Sequence, residues 1–137
     1  VKLLLWLSCF LLLLSGCRLL EDKVAINEKS TVVYQKVATT HAEAKRLGNV
    51  LLSYGYFNTI DKRTVYLNKK ENQYQVTFII NKELFLSDKE NLVQGFKVWQ
   101  DWLREYAFGY SPTLVIIADE QKHTLYKIDG TSTLQHP

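Results

Sequence analysis

The chain has 137 residues, with 17 Lys and Arg against 14 Asp and Glu, for a formal net charge of +3. This length fits one domain and excludes a multi-domain enzyme or a long repeat array. Hydrophobic residues at 47% and charged residues at 23% argue against wholesale disorder, and so small a positive charge argues against a nucleic-acid binder.

The chain opens with one basic residue, Lys2, and an uncharged apolar run from Leu3 to Leu14. A bilayer-spanning helix needs roughly 20 apolar residues. This run is shorter and has the length of a signal-peptide core. The small residues Ser15 and Gly16 follow, and then Cys17. Basic start, apolar core and Leu14-Ser15-Gly16-Cys17 together resemble the signal and lipobox of bacterial lipoproteins, over the first 17 residues. The resemblance implies cleavage between Gly16 and Cys17 and a diacylglyceryl thioether on the Cys17 sulfur, which would make Cys17 an acylated mature N-terminus. Two or more acyl chains anchor a protein stably where one is marginal. Arg18 rather than Asp follows Cys17, which by the same resemblance implies the periplasmic side of the outer membrane if the envelope is Gram-negative. The alternative is a chance cysteine behind an uncleaved segment. Loss of residues 1–16 would leave 121 residues with a net charge of +2 and no second cysteine, so no disulfide would support the fold.

Residues 17–30 have mixed charge and few turn formers and read as the lipidated Cys17 with a short tether. Thr31 to Ala38 is rich in β-formers and predicts a first strand. Thr40-His41-Ala42-Glu43 fits a capping box. Ala44, Leu47, Leu51 and Tyr54 then recur on one helical face until Gly55, with Gly48 inside the helix where it permits close packing. Thr64 to Asn68 and Tyr74 to Ile80 predict two strands around the polar turn Lys69-Lys70-Glu71-Asn72, with Tyr74, Val76, Phe78 and Ile80 on one face. Ser87-Asp88-Lys89-Glu90 fits a second capping box. It precedes a helical stripe of Leu92, Phe96, Trp99, Leu103 and Tyr106, widened by Val93 and Trp102 and ended by Gly109 and Pro112. Leu114 to Ala118 predicts a central strand. Thr124 to Ile128 predicts a last one, followed by a frayed tail over 130–137.

The order is β-α-β-β-α-β with an extra C-terminal hairpin strand. It predicts one α+β domain over 31–129, with an antiparallel, ferredoxin-like sheet and two helices on one face. With Ala44-Lys45-Arg46-Leu47 in the first helix, this order is similar to SPOR domains over about residues 31–118. That likeness implies peptidoglycan binding. The long second helix and the missing glycine-rich strand ends depart from the SPOR pattern.

No residue stands out as catalytic. His41 falls in a helix cap, His123 at a hairpin turn and His136 in the tail, so no histidine pair has metal-ligand spacing. The sequence has no Gly-x-Ser-x-Gly elbow, no phosphate-binding glycine loop and no CxxC. No cofactor and no metal is expected. Asp61, Glu71, Asp88 and Asp119 read as turn and cap residues. Lys62, Arg63, Lys69 and Lys70 cluster in sequence, but Asp61 and Glu71 flank them, and two solvated loops describe them better than an anion patch. The candidate partner-facing aromatics are Trp102 at the edge of its stripe and Tyr66 and Tyr34 on strands, with Trp99 in the core. The expectation is a membrane-anchored envelope lipoprotein without enzymatic activity that binds or scaffolds. Its partner beyond the membrane would be a cell-wall polymer or another envelope protein, and not nucleic acid. The other readings are a SPOR-like peptidoglycan module, an accessory subunit exposing Trp102 or Leu84-Phe85-Leu86, and an enzyme with an unconventional site.

Overall fold

The computed structural model describes residues 20–130. β1 (Glu21–Ala25) and β2 (Ser30–Gln35) form a hairpin that leads into α1 (His41–Ser53). β3 (Arg63–Lys70) and β4 (Gln73–Ile79) form a second hairpin. The short α2 (Lys82–Ser87), α3 (Lys89–Trp102) and a π-helical turn (Leu103–Ala107) follow, and β5 (Thr113–Ala118) and β6 (Thr124–Asp129) close the domain. The strands lie in one six-stranded sheet in chain order. β2–β3 and β4–β5 are parallel, and the other three pairs are antiparallel.

The α+β class holds, and the sheet is mixed and larger than the antiparallel ferredoxin-like arrangement the sequence suggested. The strand–helix order behind the likeness to SPOR domains is present, but each helix returns the chain to the strand beside the one it left. The two parallel pairs run in opposite directions while both helices cover the same face, so their crossovers have opposite hand. One of them is therefore the rare left-handed kind. Nothing in the alternation of a strand encodes that choice.

Register explains the shared core. Val32, Val65, Phe78 and Ile117 pair across four strands, and Tyr34, Leu67, Val76, Val115 and Ile128 pair in the row beside them. Both rows face the helices and are buried. α1 is fixed by the predicted capping box: the Thr40 hydroxyl accepts from the Glu43 N–H, and the Glu43 carboxylate accepts from the Thr40 N–H. It buries Ala44, Leu47, Gly48 and Leu51. A Cβ on Gly48 would collide with the end of the Ile26 side chain, so glycine is what allows this close approach. Gly55, at φ +85°, turns the chain out of the helix. Glu71 and Asn72 both have positive φ, as a two-residue turn twisted to match the β3–β4 hairpin needs.

Three expectations change. The segment read as a tether carries β1, in which Val24 alone is buried, so the strand lacked a visible apolar alternation. Ser87 does not start a capping box. It ends α2, and its hydroxyl donates to the Leu84 carbonyl at 2.8 Å, while Asp88 precedes α3 without a side-chain cap bond. The second helix buries Val93, Phe96, Gln100, Leu103 and Ala107. The Phe108 N–H donates to the Leu103 carbonyl at 3.1 Å, five residues back, as π geometry requires, and Leu103 and Ala107 are both buried. Tyr106 is rotated outward and is 48% exposed. Among the described residues no helix is long and apolar enough to cross a membrane. Gly16, Cys17 and the tail over 131–137 lie outside the described residues.

Candidate binding cleft

The antiparallel β3–β4 hairpin puts the start of β3 beside the end of β4, and the parallel β4–β5 pair adds the end of β5. At this end of the sheet the segment between α1 and β3, the start of α2 and the β5–β6 turn enclose an open cleft of about 650 Å³. That volume falls within the usual range for small-molecule sites.

One wall is cationic. Asn58 sets its backbone: its Oδ1 accepts the N–H groups of Ile60 at 2.9 Å and Asp61 at 2.7 Å, which fixes the turn before Lys62 and Arg63. Arg63 donates to the Tyr56 carbonyl at 2.8 Å, pairs with Asp61 at 3.6 Å, and lies 4.8 Å over the Tyr56 ring. Lys62 makes no hydrogen bond or ion pair among the described residues. The third cation arrives from the β5–β6 turn. There Asp119 Oδ1 accepts the N–H groups of Gln121 at 3.0 Å and His123 at 2.8 Å, and Lys122 adopts φ 64°. The N–H of His123 is the main reason the Asp119 carboxyl sits below its usual pKa. Lys122 Nζ lies 4.2 Å over the Tyr66 ring.

Another part of the lining is apolar: Ile80, Leu84, Leu92 and Phe96. Leu84 is 54% exposed. Tyr56 forms the floor, packed on Phe78 at 4.9 Å and Trp99 at 5.8 Å. Burial pushes its hydroxyl up to about 12 although Arg63 acts in the opposite sense, so Tyr56 is a neutral hydrogen-bonding group at physiological pH. Asn81 caps α2 by accepting the Leu84 N–H at 3.1 Å and donates to Glu120 at 3.5 Å. Glu120 is the one carboxylate in a lining that holds three cations. No group of three or more His, Cys, Asp or Glu residues is arranged to hold a metal among the described residues.

The three candidate aromatics do not come together. Tyr34 is 5% exposed, and its hydroxyl donates to Asp22 at 3.3 Å. It shares the parity of Val32 and so points under α1, which removes it as a partner surface. Tyr66 lies on the helix-free face, in a cross-strand row with Val33, Thr77 and Ile116. It lines both the cleft and a smaller depression of about 240 Å³ on that face. Trp102 is half-buried in the helical layer, stacked on Tyr54 at 4.8 Å, and Tyr54 stacks on Tyr106 at 5.5 Å. The basic set also divides, because the length of β3 separates Lys62 and Arg63 from Lys69 and Lys70. Lys122 is the cation that sequence spacing could not supply. The acidic turn residue before it, Asp119, was the only signal of its position.

Residues 23–130 match the family model AF_1994_N, described as a family N-terminal domain. The chain belongs to this family. The AF_1994_N match begins inside β1 and ends one residue past β6, so it takes in all of α1 to β5 and the residues of the cleft. No curated protein and no solved structure matches the chain.

Proposed function

We propose that the chain is a lipid-anchored envelope lipoprotein whose AF_1994_N domain is a non-catalytic binding module, with the cleft beside the start of β3 as its binding site. The observation that carries the binding role is one cleft lined by Lys62, Arg63 and Lys122, by the apolar Ile80, Leu84, Leu92 and Phe96, and by a single carboxylate. The anchor rests on the lipobox resemblance of Leu14-Ser15-Gly16-Cys17, with cleavage after Gly16 and acylation of Cys17.

The sheet relates the two parts. Glu21 pairs with Gln35, whereas Ser30 pairs with Arg63, so the N-terminal chain joins the sheet at the end opposite the cleft. Three residues, Arg18 to Leu20, separate Cys17 from β1. An extended chain spans at most about 3.6 Å per residue, so a lipid on Cys17 would keep that end of the domain within roughly 14 Å of the membrane. The cleft would then open away from it.

Cys17→Ser tests the anchor. Metabolic labelling with a radioactive fatty acid should mark the wild-type chain, and the variant should lose both the label and N-terminal processing. A variant that is still processed and still acylated at a mature N-terminus overturns the lipobox reading. A second reading, an accessory subunit of an envelope complex, is favoured by the stacked Trp102–Tyr54–Tyr106 row, with Tyr54 42% exposed. A photo-cross-linker placed at Tyr106 should trap a discrete partner in cells, and recovery of the uncross-linked chain alone removes that reading.

A further inference from the structure

The cleft's lining defines a ligand class, and that class rests on the cleft being the binding site, while delivery from the aqueous side rests also on the Cys17 anchor. We infer that the cleft takes a small amphiphile with one anionic head, a carboxylate or a phosphate, and a hydrocarbon body, received from the aqueous side. Three charges of one sign converge from two turns that are distant in sequence, and each turn is built by a side chain that accepts two backbone N–H groups. The fold therefore fixes the backbone positions from which these cations project. Lys62 has no partner to surrender among the described residues, and Lys122 has only the Tyr66 face. An anion can engage both without breaking an ion pair. Charge-assisted hydrogen bonds of this kind are about twice as strong as neutral ones.

The apolar wall argues against a bare anion. Leu84 is exposed, Leu92 half-buried and Phe96 buried, and all three line the cleft with Tyr56. A hydrocarbon body would cover Leu84, whereas an inorganic ion would leave it wet. A long polyanion fits poorly, because Glu120 stands in the lining and Asp61 occupies the outer side of Arg63. The end of the sheet that holds the cleft is remote from the one the N-terminal chain joins. A membrane at that chain's side would leave the cleft to free amphiphiles and not to headgroups of the same bilayer.

Calorimetric titration of the full chain in neutral nanodiscs tests this with octyl phosphate and octanoate as probes. Octanol and inorganic phosphate serve as half-ligands. Lys62→Glu/Lys122→Glu and Leu84→Glu chains in the same discs cancel partition into the lipid, and circular dichroism checks their folding. Both octyl anions should bind the wild-type chain at least tenfold more tightly than either half-ligand. The double charge reversal should weaken the octyl anions at least tenfold and leave octanol unchanged, and Leu84→Glu should also weaken them. If octanol or inorganic phosphate binds as tightly as the octyl anions and responds to the same substitutions, the cleft is a binding site and the ligand class is wrong. If no probe responds to any of these substitutions, the cleft reading itself fails. Co-sedimentation with anionic vesicles that is lost on charge reversal would assign the cations to a bilayer surface and overturn delivery from the aqueous side.

Discussion

Gln100 offers the sharpest test of how the second helix is seated. Its amide is buried under the β5–β6 edge, and Nε2 donates to the Thr113 and Ile128 carbonyls, each at 2.8 Å. Replacing it with leucine keeps the volume and removes both donors. Two buried carbonyls each lose their donor, at about 1–3 kcal/mol apiece, toward the lower end for a volume-keeping replacement. Burying the added apolar surface returns about 1–2 kcal/mol. The expected net loss for Gln100→Leu is about 2 kcal/mol. At a urea slope of about 2 kcal/mol/M this lowers the unfolding midpoint by about 1 M with the slope unchanged. Gln100→Glu should be worse at neutral pH, because a carboxylate would face two carbonyl oxygens with no proton to offer. Its folded-state pKa would be raised, so its deficit should shrink as pH falls and a protonated acid supplies one donor. A leucine variant as stable as the wild type, or a glutamate variant whose deficit is flat with pH, would refute the bridging role of the amide.

Other perturbations follow from the same packing. Gly48→Ala gains helix propensity but drives a methyl into the end of Ile26, with Val32 3.3 Å away, and should cost about 1–2 kcal/mol in urea unfolding; Ile26→Val in the same chain should restore part of it. Thr40→Ala removes one half of the capping box and should cost about 1 kcal/mol, with a matching loss of amide-exchange protection in the first turn of α1. The tyrosines predict alkaline lability: Tyr56 and Tyr74 are both pushed up to about 12, first by burial and for Tyr74 also by its hydrogen bond to Glu43. An unfolded tyrosine ionises near 10 while these remain neutral in the fold, so stability should fall as pH rises from about 10 to 12. Two units at about 1.4 kcal/mol each put the Tyr56 share near 3 kcal/mol. Tyr56→Phe should flatten the pH dependence of the urea midpoint across that window, and an unchanged slope would count against the burial of its hydroxyl.

Local chemistry was legible in the sequence wherever one segment sufficed. The Thr40–Glu43 box, the Gly55 stop, the β3–β4 turn and the inward parity of Tyr74, Val76 and Phe78 follow from neighbouring residues alone. β1 was hidden because it is an edge strand with one inward apolar side chain. Trp99 was assigned the centre of its stripe and Gln100 left out, since a polar residue counts against burial until its partners are known. Those partners are carbonyls 13 and 28 residues away. Tyr106 was assigned inward by α-helical spacing, which the π turn rephases.

The cleft shows the same limit at a larger scale. Asp119 was readable as a turn former, with Lys122 three residues on, and in the other turn Lys62 lies four residues after Asn58. Whether those lysines meet depends on β3, β4 and β5 being neighbours, with β4 and β5 running opposite to β3. In the ferredoxin-like arrangement expected from element order, no such parallel β4–β5 pair would bring the β5–β6 turn to the start of β3. The mixed sheet does so, because the parallel step returns β5 to the end where β4 finishes and where β3 begins. The strand order that the sequence could not specify is thus the feature that turns two solvated loops into one cationic wall.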